Sequence, residues 1–374
     1  RYKVAAVNAA GEVSAATGGG LSGAKHPNDW LAGEAATVSW AAVAGASEYF
    51  IYREEAGYYG LVGVSTSTSF RDDKYRADTA DTPSRRENPF ASGNNPSVVT
   101  FHQQRLVLGG TAQKPQTWYA SRTGAYEDFS KSRPVKDDDS LEFTLASGRI
   151  DIIQWAAAFG DLLIGTAGSE YKAMGSDQGV ITPASLNMRE QSFWGSMRLR
   201  PLIIGNSVLH VQRQGARVRD LFYSLERDGY AGNDLSVLAP HLFDNHFIRQ
   251  WDYQQAPGSL VWAVRDDGLL LCMVYLKEHD LWGWSRFATK GQVRSCAVTA
   301  GNMEDTLYLV VERKIKGASK WYLERCAPRW EEDFGINRAF FVDCGLSYKN
   351  PASPVAVVSG LDHLEGESVV ILAD

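Results

Sequence analysis

Asp137–Asp139, the pair His241 and His246 in PHLFDNHF, Asp228 in RDG and Asp266–Asp267 in RDDG are places where this chain sets acidic or ligating side chains close together. Three consecutive carboxylates could ligate a divalent cation. Neighbouring side chains on an extended backbone point to opposite sides, however, so Asp137–Asp139 reads as a solvated turn. The histidine pair lacks the HExxH spacing that puts two imidazoles on one helical face, and it predicts no metal site. Asp228, Asp266 and Asp267 stand where a tight hairpin takes Asp-Gly, which accounts for them without catalysis. Cys272, Cys296, Cys326 and Cys344 are 24, 30 and 18 residues apart with no CxxC pair, so they read as reduced core thiols. The glycines of GGTAQK and GTAGSE fit neither a phosphate loop nor GxGxxG. No nucleophile set, metal or organic cofactor is expected.

The elements that carry these residues follow from composition. A chain of 374 residues, 44% apolar and 22% charged, is globular material, long enough for two or three domains. It has no apolar run near the roughly 18 residues of a membrane span. Eleven Trp, 16 Tyr and 15 Phe with 35 Gly favour many short strands joined by glycine turns. The net charge of -6 is uneven: residues 95–340 carry 28 basic and 28 acidic side chains, and residues 341–374 carry 1 and 5. This excludes a broad basic footprint for gripping nucleic acid. The local exception is Arg189, Arg198, Arg200, Arg213, Arg217 and Arg219, which read as a subunit contact or a solvated face and not as a nucleic-acid groove.

Residues 18–80 hold one module. A strand ends at Trp40, Gly45 turns the chain, a strand alternates through Tyr49, Ile51 and Arg53, and another covers Leu61–Val64. The stretch VSWAAVAGASEYFIYR resembles a fibronectin type III domain, and YKVAAVNAAGEVS in residues 1–17 resembles the closing hairpin of a preceding copy. Residues 72–95 turn polar and irregular, as a linker does. Strand starts then recur at Arg105, Asp161, Ser207, Ser259 and Asp305, each followed by an aromatic strand: TWYASR, SEYKAM, VRDLFYS, LLLCMVY and KWYLER. Three or four strands per unit of 46–56 residues predict a β-propeller of about five or six blades over residues 81–340. Trp155, Trp262, Trp282, Trp284 and Trp321 are expected to pack between blades. A sixth blade could come from the linker or from strands after Asn337. Ser368–Ala373 reads as a buried strand opening a further β-rich domain within 341–374, so the chain reads as an internal piece of a longer polypeptide.

Several strings, among them NNPSVVTFHQQRLVLGGTAQKPQTWYASRTGAYEDFS and DYQQAPGSLVWAVRDDGLLLCMVYLKEHDLWGWSRF, resemble the tail tube or nozzle proteins of short-tailed phages and prophages. That family is also known as packaged-DNA stabilisation or tail hub proteins. The resemblance covers roughly residues 88–374. It implies a non-enzymatic virion protein, assembled in the bacterial host cytoplasm into a tail ring of its own copies, a hexamer by resemblance. Its partners would be portal or adaptor and other tail proteins. Viral DNA would pass through the ring without sequence-specific binding, during genome retention and ejection. A wall that lets DNA slide should be neutral or acidic, which makes Asp362, Glu365 and Glu367 the expected channel lining. The alternative is a carbohydrate-binding or carbohydrate-cleaving propeller with fibronectin-type spacers, in which Trp262 or Trp284 would stack on a sugar.

Overall fold

The structure, a computed structural model, describes residues 1–9, 13–14, 16–19, 25, 27–83, 89–90, 93–132, 135–146, 151–175, 179–328, 343–346 and 357–371. Among these residues there is no α-helix; β-strands and three-residue 3-10 turns make up the regular structure. Among the described residues no helix is long and apolar enough to cross a membrane. The chain divides into two compact units, Arg1–Phe193 and Trp194–Asp374, a boundary that falls inside the segment expected to be one propeller.

The first unit opens with β1 (Tyr2–Asn8), β2 (Thr17–Gly19), β3 (Ala36–Ser39), β4 (Ala46–Glu55), β5 (Tyr58–Ser65) and β6 (Ser69–Asp72). They form a four-stranded sheet in the order β2-β1-β4-β5 and a β3-β6 pair. β1 runs antiparallel to β4, with Tyr2 opposite Arg53 and Ala6 opposite Tyr49. This register corrects the division at residue 17: the opening hairpin is built into the same sheet as β4, because β4 offers it an unpaired edge. Alternation along β4 turns Tyr49, Ile51 and Arg53 inward, onto Tyr2, Ala6 and Val62. Arg53 is thus carried into the core with its charge, and Asp72 of β6 meets it there. Arg53 Nη1 donates to Asp72 Oδ2 at 2.6 Å, the Tyr2 hydroxyl donates to the same oxygen at 2.7 Å, and Tyr75 N donates to Asp72 Oδ1 at 3.0 Å. Arg53 Nη2 also donates to the Tyr75 carbonyl at 2.8 Å. Burial and the Asp72 carboxylate push the Tyr2 phenol well above its usual range, so it stays a donor.

Two antiparallel meanders complete this unit. The first is β7 (Val98–His102), β8 (Arg105–Gly109), β9 (Thr117–Ala120) and β10 (Leu141–Thr144). The second is β11 (Ile153–Phe159), β12 (Asp161–Thr166), β13 (Glu170–Met174) and β14 (Asn187–Ser192). One apolar cluster joins them, with Val98, Val107, Trp118 and Leu141 from one sheet and Ile153, Leu162, Ile164 and Tyr171 from the other. The second unit repeats the plan. It holds β15 (Leu202–Ile204), β16 (Ser207–Val211), β17 (Val218–Ser224) and β18 (Gly229–Ala231), then β19 (Ile248–Gln254), β20 (Leu260–Arg265), β21 (Leu270–Leu276) and β22 (Leu281–Phe287). A three-stranded sheet follows: β23 (Gln292–Thr299), β24 (Thr306–Ile315) and β25 (Ala318–Arg325). The five recurring starts fall at the second strand of each sheet, and the five aromatic strings fall on the third.

Tryptophan placement follows the packing only in part. Trp155 lies across Gly165 on the neighbouring strand, where an added Cβ would come 2.1 Å from its Cε2, so the missing side chain is the seat of the indole. Trp262 is buried against the last sheet, and Trp282 and Trp284 pack against the core between the first two sheets of this unit. Trp321 departs from the expectation: it is 60% exposed, on the face of its sheet opposite the one that buries Leu307 and Val311. The strand expected over Ser368–Ala373 is also corrected. Residues 368–371 are in no strand, and Val370 and Ile371 are exposed, because no described strand offers them a partner. The remainder of residues 329–342 and 347–356, where further strands were expected, lies outside the described residues.

Removing one partner of a buried ion pair strands the other charge. Asp72→Ala should therefore destabilise the protein by about 3–5 kcal/mol. Asp73→Ala, which breaks the exposed and solvent-screened Arg71–Asp73 pair, should leave stability nearly unchanged. Urea unfolding followed by tryptophan fluorescence checks the contrast, and equal effects would contradict it.

Candidate functional site

Asp137–Asp139 lies between β9 and β10, beside the start of β8, and it is not a solvated turn throughout. Asp139 is fully buried and accepts from Ser132 N, Ser132 Oγ and Lys136 N at 2.8–2.9 Å. Asp138 pairs with Arg122 at 2.5 Å, and that guanidinium holds its carboxyl below the usual range despite partial burial. The backbone carbonyls of all three aspartates and of Ser121 surround the buried Arg105 guanidinium, which donates to them at 2.5–3.4 Å. Sequence alternation missed this because the chain turns inward at Asp139 to satisfy a charge 34 residues away. The carboxylates face donors and not a common point, so the motif builds a cage for an arginine.

His241 and His246 are not brought together. His241 is exposed on a 3-10 turn, Pro240–Leu242, while His246 meets the β20–β21 hairpin. His246 Nδ1 lies 2.9 Å from Asp266 Oδ1, which orients the ring with Nδ1 as donor, and Nε2 stands 3.8 Å from Asp267 Oδ2. His246, Asp266 and Asp267 each offer a ligand atom within 4.8 Å of the others, which makes them the candidate cation ligands. Arg265 already occupies both Asp267 oxygens, at 2.9 and 2.5 Å, and holds that carboxyl down to about 2. A cation there would have to displace or share a bidentate arginine. Gly268, at φ +89°, closes the turn as the Asp-Gly pattern requires, and Asp228, at φ 44°, does so in the β17–β18 hairpin.

Ser196 Oγ and His210 Nδ1 are 3.1 Å apart, a nucleophile–base geometry that no sequence spacing announced. Both are inaccessible, and burial with Arg219 nearby pushes the imidazole down to about 3. It stays neutral and too weakly basic to activate the hydroxyl, so the pair serves the core. Cys272 and Cys296 are buried thiols raised to about 12 by desolvation, and neither they nor Cys326 and Cys344 form a disulfide.

The two charged groups expected to serve assembly are only partly available. Arg189 lies on β14 in the first unit, apart in the chain's division from the other five. Arg219 is buried, stacked 3.6 Å over the Trp194 ring and donating to Gln212, which corrects its placement at a subunit surface. Arg217 is matched by Asp234 at 2.5 Å, leaving Arg198, Arg200 and Arg213 exposed. Of the expected channel acids, Glu365 pairs with Lys316 and Glu367 with Lys290, so only Asp362 presents an unmatched carboxylate among the described residues.

No family model and no curated protein matches the chain. Among solved structures it is similar to a luciferin-regenerating enzyme, at 11% identity and a TM-score of 0.23, over 61% of this chain and 88% of that one. A likeness at that level carries no conclusion about fold or activity.

Two outcomes check this account of the polar clusters. A chelator such as EDTA should shift the melting temperature by less than about 2 °C, and a loss above about 10 °C would show a structural metal. Because Asp267 is depressed in the folded state, its stabilisation is complete above the unfolded value near pH 4 and is lost as pH falls toward about 2. Asp267→Asn should therefore flatten the stability profile between about pH 4 and pH 2 and leave its shape at higher pH unchanged.

Proposed function

We propose that the chain is a structural virion protein, a ring-forming tail tube or nozzle subunit that continues a DNA channel. In this reading residues 95–325 are blades of a β-propeller, and β1–β6 form a fibronectin-like module. The observation that carries it is the repetition of antiparallel sheets whose strand and loop carboxylates accept from main-chain amides. Asp139, Asp220, Asp252 and Asp305 each accept from main-chain amides in or beside a neighbouring turn or sheet. Two pairs of first strands from successive sheets lie against each other, β7 with β11 and β19 with β23, as blades do when their inner strands approach an axis. Such a design gives rigidity and spends its carboxylates on structure, which suits a scaffold that must not react with or grip its cargo.

The neutral balance of the middle of the chain supports passage of DNA without tight counterion-releasing contacts. The carbohydrate alternative loses its two named platforms. Trp262 is buried with its indole nitrogen donating to Gln254 Oε1 at 2.7 Å, and Trp284 donates to the Leu235 carbonyl at 2.9 Å. Neither indole presents an open face and a free donor to a sugar.

Cryo-electron microscopy and quantitative mass spectrometry of particles from a phage or induced prophage encoding this chain test the proposal. The protein should be present in a small fixed number per particle, as a ring on the portal axis. Its absence from purified particles would overturn the reading.

A further inference from the structure

The loop of residues 243–247 and the β20–β21 hairpin bring an imidazole and two carboxylates together within the second unit. Phe243 is buried in the core, and Asn245, at φ +60°, turns the chain there so that His246 meets the hairpin. Main-chain bonds fix the meeting, Asp266 N donating to the Phe247 carbonyl at 3.0 Å and Phe247 N to Asp266 Oδ1 at 3.3 Å. Asp266 Oδ1 takes the Nδ1 proton of His246 at 2.9 Å, because a carboxylate can only accept. The lone pair of the neutral ring is then on Nε2, which stands 3.8 Å from Asp267 Oδ2. Two acceptors face each other across that gap.

An acceptor pair at this spacing calls for a cation between its members. Zinc about 2.1 Å from a nitrogen and an oxygen holds them about 3.4 Å apart at the tetrahedral angle, so Nε2 and Oδ2 need to approach by only about 0.4 Å. Asp266 has the place of the outer partner of a metal-bound histidine, fixing the tautomer and the ring direction and raising the basicity of the ligating nitrogen. Arg265 limits the choice of ion. It donates to both oxygens of Asp267, at 2.9 and 2.5 Å, and to the Leu242 carbonyl at 2.7 Å. Each carboxylate oxygen has two acceptor positions, so Oδ2 can keep the arginine and add one metal bond. A nitrogen and a single shared oxygen suit zinc and ions of its class, whereas calcium and magnesium want a shell of oxygens. With a neutral ring, two carboxylates against one guanidinium leave one net negative charge. All three side chains are about a third exposed, open to an ion from solvent.

We infer that His246 Nε2 and Asp267 Oδ2 form a surface site for a zinc-like divalent ion, with Asp266 positioning the imidazole and water completing the ion's shell. The ion clamps the 243–247 loop to the hairpin of a chain that folds without it, which is compatible with a small response to EDTA. The inference is independent of the ring reading.

Calorimetric titration of zinc chloride into the full chain, stripped with EDTA and dialysed, tests the site, with circular dichroism confirming that each variant is folded. The wild type should show a saturable site that His246→Ala removes and that His241→Ala, at the exposed histidine nearby, retains. Magnesium and calcium chloride should bind at least about tenfold more weakly. Asp266→Asn, which leaves both ligand atoms in place, should still weaken zinc binding by about 10–100-fold. Arg265→Met should tighten it severalfold while lowering stability, because the competing cation is gone; a merely structural role for the cluster predicts no gain in affinity. No saturable binding up to about 1 mM zinc, or a site that persists in His246→Ala, would overturn the inference. Weaker binding in Arg265→Met would overturn the shared carboxylate on which it stands. The particle experiment bears on the ring reading alone.

Discussion

A small antiparallel sheet has two faces and two edges, and neither its apolar faces nor its backbone groups can be left open without cost. Most of this protein follows from that constraint. Each meander places its sides by the period-two alternation of strands, and consecutive meanders within a unit bury facing residues in shared clusters. Apolar contact alone would let such sheets slide over one another. What fixes them is a set of polar side chains that reach across to specific main-chain groups. Asp252 accepts from Val298 N at 2.7 Å, Gln250 donates to the Cys296 carbonyl at 2.9 Å, and Gln254 donates to the Asp305 carbonyl at 2.8 Å, all between β19 and the last sheet. Gln103 does the same in the first unit, donating to the Gly179 carbonyl and accepting from Ile181 N, both at 2.8 Å.

Buried charge is handled by the same logic. Asp220 is fully buried, yet it accepts from Asn233 N at 2.6 Å and from the Tyr275 hydroxyl at 3.1 Å, with Lys277 at 3.5 Å. Arg105 is surrounded by carbonyls, Arg53 by Asp72 and Tyr75, and Arg313 by Glu324 in a two-point contact at 2.6 and 2.9 Å. A buried ion that is fully bonded adds little net stability over an apolar replacement, but it penalises any misaligned packing heavily. Fully bonded buried charges therefore contribute geometric specificity more than net stability.

The legible part of the fold was the part written in local pattern. Alternation and glycine spacing located the second and third strands of all five meanders, because those signals are confined to a few neighbouring residues. Parity also showed that Tyr49, Ile51 and Arg53 share a face. It could not show that Asp72, 19 residues further on, would neutralise the arginine, nor that β1 would pair with β4, because both depend on long-range register. Asp139 was misplaced because a turn can rotate one of three identical side chains inward when donors a few residues back, here Ser132 and Lys136, converge on it. Trp321 marks another limit. Sequence tells which face of a strand a residue occupies, but whether anything covers that face is a property of the whole assembly.

The central claim is that buried carboxylates on strands and in loops fix neighbouring segments of the chain through main-chain amides. Amide hydrogen exchange read at single-residue resolution tests it most directly. The amides of Ser132, Lys136 and Asn233 lie outside the strand ladders and donate to Asp139 or Asp220. They are predicted to exchange within about tenfold of the rates in the flanking strands, because opening them requires breaking the packing around a buried carboxylate. Exchange of these three amides at the rates of freely solvated loops would contradict the account.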